Sequence, residues 1–134
     1  MLLYALTKYM AYASWCYLGL LLFTGRPSVL GAMKFGAVRW LLGLAFGLLA
    51  AMGLGSVSAQ SVASLYFGVY IPLRVVEWWI MVGLISRGRP GQRALFLSIK
   101  AWLWVVGGIA ISFASDMASP EGMAGRFCVG RCLC

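Results

Sequence analysis

The sequence predicts an all-α polytopic membrane protein, a bundle of four transmembrane helices. Composition is the first reason: 63% of the 134 residues are hydrophobic and the mean hydropathy is +0.92, well above the roughly 45–50% apolar share of soluble domains. The second is arrangement, because the apolar residues fall into four runs, each near the ~20 residues that cross a bilayer core. The third is size. A chain this short lacks the volume to hide several wholly apolar helices from water.

The first run, residues 2–23, is interrupted by Thr7 and Lys8 and stops at "TGRPS", where Gly and Pro end a helix. No positive charge precedes the run and a basic turn follows it, so a retained span is expected rather than a signal peptide. The second run, residues 37–59, leads through a short "QS" link into the third, residues 61–85. The joining stretch "GSVSAQSVAS" is small and polar and suits a tight helical hairpin. After "SRGRPGQR" comes the fourth run, residues 94–115, and the chain closes on a short Cys-containing tail, residues 117–134.

The halves also align. At an offset of 63, Trp15 falls on Trp78 and "GRP" at 25–27 falls on "GRP" at 88–90; with one inserted residue, "WLLG" from Trp40 meets "WVVG" from Trp104. Two pseudo-repeated helical hairpins are therefore expected, related by an axis normal to the membrane.

The net charge of +8 is informative through its distribution. Arg26, Lys34 and Arg39 cluster around loop 24–36, and Arg87, Arg89, Arg93 and Lys100 around loop 86–93, against Lys8, Arg126 and Arg131 on the other side. The positive-inside rule places both loops in the cytoplasm and both termini outside the plasma (inner) membrane. Charge so divided makes no continuous basic groove, so nucleic acid is excluded as a partner. Lys8 and Lys100 are expected to snorkel to opposite interfaces, and Tyr4, Tyr9 and Tyr12 to join the outer aromatic belt. Arg26 and Arg89, in the two Gly-Arg-Pro turns, fall at the level of lipid phosphates, where each gains about 1 kcal/mol from anionic headgroups. Membrane lipids are thus expected partners.

Catalytic chemistry is scarce. There is no histidine, which removes a His-ligated haem, a His-containing zinc site and a Ser-His triad. Of the three carboxylates, Glu77, Asp116 and Glu121, only Glu77 lies well inside an apolar run, so no paired-carboxylate site is expected within the bilayer. Neither Gly-Arg-Pro turn carries a phosphate-binding glycine pattern. No enzyme activity, cofactor or metal is expected.

Two features stand out inside the spans. Gly43, Gly47, Ala51 and Gly55 recur every fourth residue and form one smooth stripe, a face for close helix packing. The segment "YIPLRVVEWWIMV" carries Arg74 and Glu77 about 20 and 24 Å along the third helix, in mid-bilayer, where an unpaired charge costs about 2.5–3.5 kcal/mol on insertion scales. Their i, i+3 spacing lets them pair. Tyr70 and Tyr66 continue the same stripe, Trp78 is placed to cover Arg74 by a cation–π contact, and Pro72 leaves the carbonyl of Gly68 without its donor and kinks the helix. An intramembrane polar site of Arg74, Glu77, Tyr66, Tyr70, Pro72 and Trp78 is the result.

The tail ends "RFCVGRCLC". A terminal "CLC" resembles a prenylation signal, but the expected topology puts the tail outside the cytosol, where Cys128, Cys132 and Cys134 would instead form a disulfide with one thiol spare. Size, packing stripe and sparse chemistry predict a small non-enzymatic accessory or assembly subunit of a membrane complex, with a membrane protein partner or further copies of itself. The alternative is a small oligomeric transporter or channel with the Arg74/Glu77 pair on its pathway.

Overall fold

Five helices and one π-helical turn account for the described residues, 2–54, 66–87 and 91–118, of the computed structural model. Helix α1, Leu2–Thr24, ends where the sequence expected. The Thr24 hydroxyl donates to the Leu20 carbonyl at 2.6 Å, and Gly25, at φ +62°, takes the left-handed conformation that closes a helix C-terminus. The chain then turns within four residues. Ser28 accepts from the Gly31 N–H at 3.2 Å, and this N-cap starts α2, Val29–Leu54.

The second helix therefore begins at Val29, not at residue 37, which corrects the loop 24–36, turns Lys34 from a loop residue into a helix residue and carries Arg39 from the start of the expected span to well inside the helix. A π-helical turn, Tyr66–Tyr70, runs directly into α3, Ile71–Ile85. The wide turn contains Gly68, whose carbonyl Pro72 cannot serve as a donor. The fourth apolar run is also interrupted. A short helix α4, Gln92–Phe96, follows Gly91 (φ +81°), and Ser98 caps a new helix by accepting from the Ala101 N–H at 3.2 Å. That helix, α5, spans Ile99–Met117 rather than starting at residue 94.

Packing follows chain order. Helix α1 lies chiefly against α2, α2 against α3, α3 against α5, and α5 closes the ring back to α1. The four-residue turn between α1 and α2 keeps those two helices adjacent. Tryptophans fill the interior. The indole N–H of Trp15 donates to the Trp104 carbonyl at 3.1 Å while that of Trp104 donates to the Trp15 carbonyl at 3.2 Å, tying α1 to α5. Trp78 and Trp104 meet edge to face at 5.0 Å. Glycines make the room: a Cβ at Gly19 would stand 2.7 Å from the Trp104 ring, and one at Gly108 would stand 2.5 Å from the Trp78 ring.

The distribution of side chains is inverted relative to a water-soluble bundle. Leu6, Leu21, Leu41, Leu49, Val76 and Leu103 face outward, whereas Arg39, Arg74, Glu77 and Asp116 are buried. Three segments, Val29–Leu49, Gly68–Ile85 and Ile99–Met117, are long and apolar enough to cross a membrane. Helix α1, with 23 residues, packs alongside them.

Candidate functional site

Each of the four long helices contributes a charge to one buried chain. Arg39 lies about 15 Å along α2 at 1.5 Å per residue, with none of its side chain exposed, and its Nη2 sits 2.6 Å from Glu77 Oε2 of α3. The same oxygen accepts from Arg74 Nη1 at 2.8 Å. Arg74 reaches onward with Nη2 to Asp116 Oδ2 of α5 at 3.7 Å, and Asp116 Oδ1 is 2.6 Å from Lys8 Nζ of α1. Three cations and two carboxylates thus run in one line from the end of the bundle where α1 begins and α5 finishes to its middle.

Neutral groups fix this chain in place. Tyr4 donates to Asp116 Oδ1 at 2.8 Å, Tyr70 donates to Asp116 Oδ2, and Lys8 also donates to the Tyr4 hydroxyl at 3.0 Å. At the deep end, the Ser112 hydroxyl accepts from Arg39 Nη2 at 3.4 Å and from the Trp78 indole at 3.2 Å, and donates to the Gly108 carbonyl at 2.9 Å. The guanidinium carbon of Arg39 is 4.8 Å from the Tyr12 ring and 4.7 Å from the Trp78 ring, so the cation is held by π-faces as well as by its carboxylate. Exposure falls along the chain, from 14% for the Lys8 side chain and 10% for Arg74 to none for Arg39 and Glu77. Beyond Arg39 the interior is Tyr12, Trp78, Trp104 and Phe23, and no charge is buried there among the described residues.

The pairing of Arg74 with Glu77 is as the sequence predicted, and Tyr70 lies beside it, its ring 4.8 Å from the Arg74 guanidinium. Trp78 is buried in the cluster but covers Arg39, not Arg74. Pro72 is exposed, so it shapes the backbone and adds no side chain to the site. The Tyr66 backbone lies in the π turn; its side chain falls outside the described residues, as do Gly55, Arg89, Cys128, Cys132, Cys134 and the Ala51 side chain. Gly43 faces the two guanidiniums rather than a neighbouring helix, while Gly47 is half-buried. Arg26 is exposed in the α1–α2 turn. Lys8 and Tyr12 depart from their expected interfacial places: Lys8 pairs with Asp116 and Tyr12 is buried.

Sequence reasoning missed Arg39, Asp116, Lys8, Tyr4 and Tyr12 as members of the site. The signal for Arg39 was present in Ser28, a capping residue directly after Gly-Arg-Pro, which starts the helix early enough to carry Arg39 to mid-depth. Asp116 carried no comparable signal, since a carboxylate at the end of an apolar run reads as interfacial. Trp15 and Trp78, matched by the internal alignment, have different partners: the Trp104 carbonyl and the Ser112 hydroxyl. Comparison with protein-family models, curated proteins and solved structures finds no match for the chain.

Proposed function

We propose that the chain is a small, non-enzymatic integral membrane protein of four spans that works as an oligomeric transporter or channel, its solute path following the buried charges. One observation carries this reading: two cations and two carboxylates, Arg39, Arg74, Glu77 and Asp116, are buried and linked to part-exposed Lys8 at one end, not one self-neutralised pair. Locking helices together needs a single partnered couple. Every further ion adds several kcal/mol of desolvation, and apolar replacements would pack a bundle at least as well. A polar path accounts for what packing alone does not.

The gradient of exposure gives the path a mouth at Lys8 and Asp116 and a floor at the Tyr12, Trp78 and Trp104 layer. Passage through the floor requires movement of those rings or a second copy beside the first, which is why further copies of the chain belong to the proposal. In this reading the mouth opens on the outer side of the plasma (inner) membrane, in keeping with the positive-inside rule applied to the basic residues of the two loops.

Reconstitution into sealed vesicles tests this. The purified chain should carry ions or small polar solutes down an imposed gradient, and Arg39→Met combined with Glu77→Leu should fold yet abolish the flux. A variant that folds and conducts like the wild type would refute transport. A wild-type chain that carries nothing and purifies with a stoichiometric membrane protein partner would establish the accessory-subunit role instead.

A further inference from the structure

The other end of the bundle, about 22 Å from Lys8 along α1, carries an open cavity of about 370 Å³, within the roughly 300–1,000 Å³ of small-molecule sites. Its walls have two characters. Phe23, from the last turn of α1, and Ala94 and Leu95 of α4 are apolar, whereas Gln92, Ser98 and Lys100 are polar. The Ser98 hydroxyl is engaged, donating to the Leu95 carbonyl at 2.6 Å and accepting from the Ala101 N–H at 3.2 Å. The Gln92 amide gives one N–H to the Gly83 carbonyl at 3.3 Å, which leaves its second N–H and the Lys100 ammonium as the donors of the polar wall. Lys100 is exposed and makes no ion pair among the described residues.

Charge at this end has one sign. Arg26, Arg87 and Lys100 are all exposed, while the two described carboxylates, Glu77 and Asp116, are buried in the chain of ion pairs. Aromatic rings mark the depth. Trp102, about one turn beyond Ser98 in α5, is exposed and meets Trp79 of α3 edge to face at 4.9 Å, and Trp79 stacks on Phe96 of α4 at 5.5 Å. Exposed indoles of this kind gather at the membrane–water boundary. Leu97 and Ile99, 85% and 70% exposed, alternate with Ser98 and Lys100, so apolar side chains suited to acyl chains flank the polar wall.

We infer that this cavity seats one anionic glycerophospholipid, its phosphate at Lys100 and Gln92 and its acyl chains leaving over Leu97 and Ile99. A headgroup with its own ammonium fits less well, because it would meet three exposed cations and no free carboxylate among the described residues. Such a site differs from the attraction of the Gly-Arg-Pro turns to headgroups, for which any anionic surface suffices. A seated lipid saturates, and its affinity depends on the shape of the cavity. The site stands whether or not the chain transports a solute.

The test uses the full chain purified in a mild, uncharged detergent. Thermal unfolding is followed while short-chain phosphatidylglycerol is added, with phosphatidylcholine of the same chain length and inorganic phosphate as separate arms. Phosphatidylglycerol should raise the melting temperature saturably, with an apparent affinity at least tenfold above that of phosphatidylcholine, and inorganic phosphate should leave it unchanged. Lys100→Gln should lower that affinity at least tenfold. Ala94→Phe keeps every charge and adds a ring to the cavity wall, so it should do the same, whereas Lys34→Gln, which removes an exposed cation that does not line the cavity, should change it less than twofold. Equal stabilisation by the two lipids would mean that acyl chains alone bind, and inorganic phosphate as effective as phosphatidylglycerol would mean a site for the free anion; either result overturns the lipid site. Unchanged affinity in a folded Ala94→Phe overturns it too, as does an equal loss in Lys34→Gln and Lys100→Gln, which would reduce the binding to diffuse attraction. If one of the cavity variants does not fold, the other and the wild-type comparison decide.

Discussion

Glu77 holds two guanidiniums on one oxygen, at 2.6 Å from Arg39 and 2.8 Å from Arg74. Removing its charge leaves Arg39 without a counter-ion in the interior and Arg74 with Asp116 alone, so Glu77→Gln should destabilise the fold by about 3–5 kcal/mol, read as thermal unfolding in detergent. The double replacements are more discriminating. Arg74→Met with Glu77→Leu leaves Arg39 buried with no counter-ion, whereas Arg39→Met with Glu77→Leu leaves Arg74 beside Asp116. The second pair should therefore recover much of the stability and the first should not. Equal recovery by both would show that Arg39 does not depend on Glu77. The sequence exposed half of this group: the i, i+3 spacing made Arg74 and Glu77 partners on one helix, a relation fixed by helical geometry alone. Which residues arrive from α1, α2 and α5 depends on the rotation of those helices about their axes, and an apolar run of nearly uniform hydrophobicity encodes that rotation weakly.

Helix α2 carries two glycine environments that should respond with opposite signs. A Cβ at Gly36 would stand 2.9 Å from the Cα and the N of Ala13, which is backbone of α1, so the two helices must separate to admit it. At Gly31 the nearest atom, at 3.3 Å, is the Leu20 Cδ1, the movable end of a side chain. Gly36→Ala should cost about 1–3 kcal/mol by overpacking. Gly31→Ala should be neutral or stabilising by up to about 1 kcal/mol, because alanine is the better helix former. Thermal unfolding of both variants checks this, and a Gly36→Ala as stable as the wild type would mean that α1 and α2 are not in close contact. Existence and order of the helices were legible, since each apolar run is about a bilayer long. Helix starts were not. Reading the second span from residue 37 excluded Gly36, although it lies seven residues, nearly two whole turns, before Gly43 and so on almost the same face. Of the small-residue stripe, Gly43 meets a pair of guanidiniums, a neighbour that spacing alone does not distinguish from a helix.

The whole molecule is arranged with charge inside and leucine outside, and this bears on how it sits in a membrane. Two basic residues counted towards loop asymmetry are removed from the count by pairing: Arg39 is buried against Glu77, and Lys8, on the opposite side, is held by Asp116. By sequence position what remains is Arg26, Lys34, Arg87, Arg89, Arg93 and Lys100 for the two loops against Arg126 and Arg131 for the tail, so the asymmetry on which the expected orientation rests is undiminished. The Lys8–Asp116 contact also brings the beginning of α1 and the end of α5 to the same end of the bundle. Both termini are therefore expected on the outer side. After mild reduction of intact cells, a membrane-impermeant maleimide should label Cys128, Cys132 or Cys134, while Cys16, fully buried in α1, stays protected in the native chain. Labelling of tail thiols only after the membrane is opened would reverse the orientation. It would place the mouth of the charged chain on the cytoplasmic side and make the terminal "CLC" accessible to cytosolic prenylation.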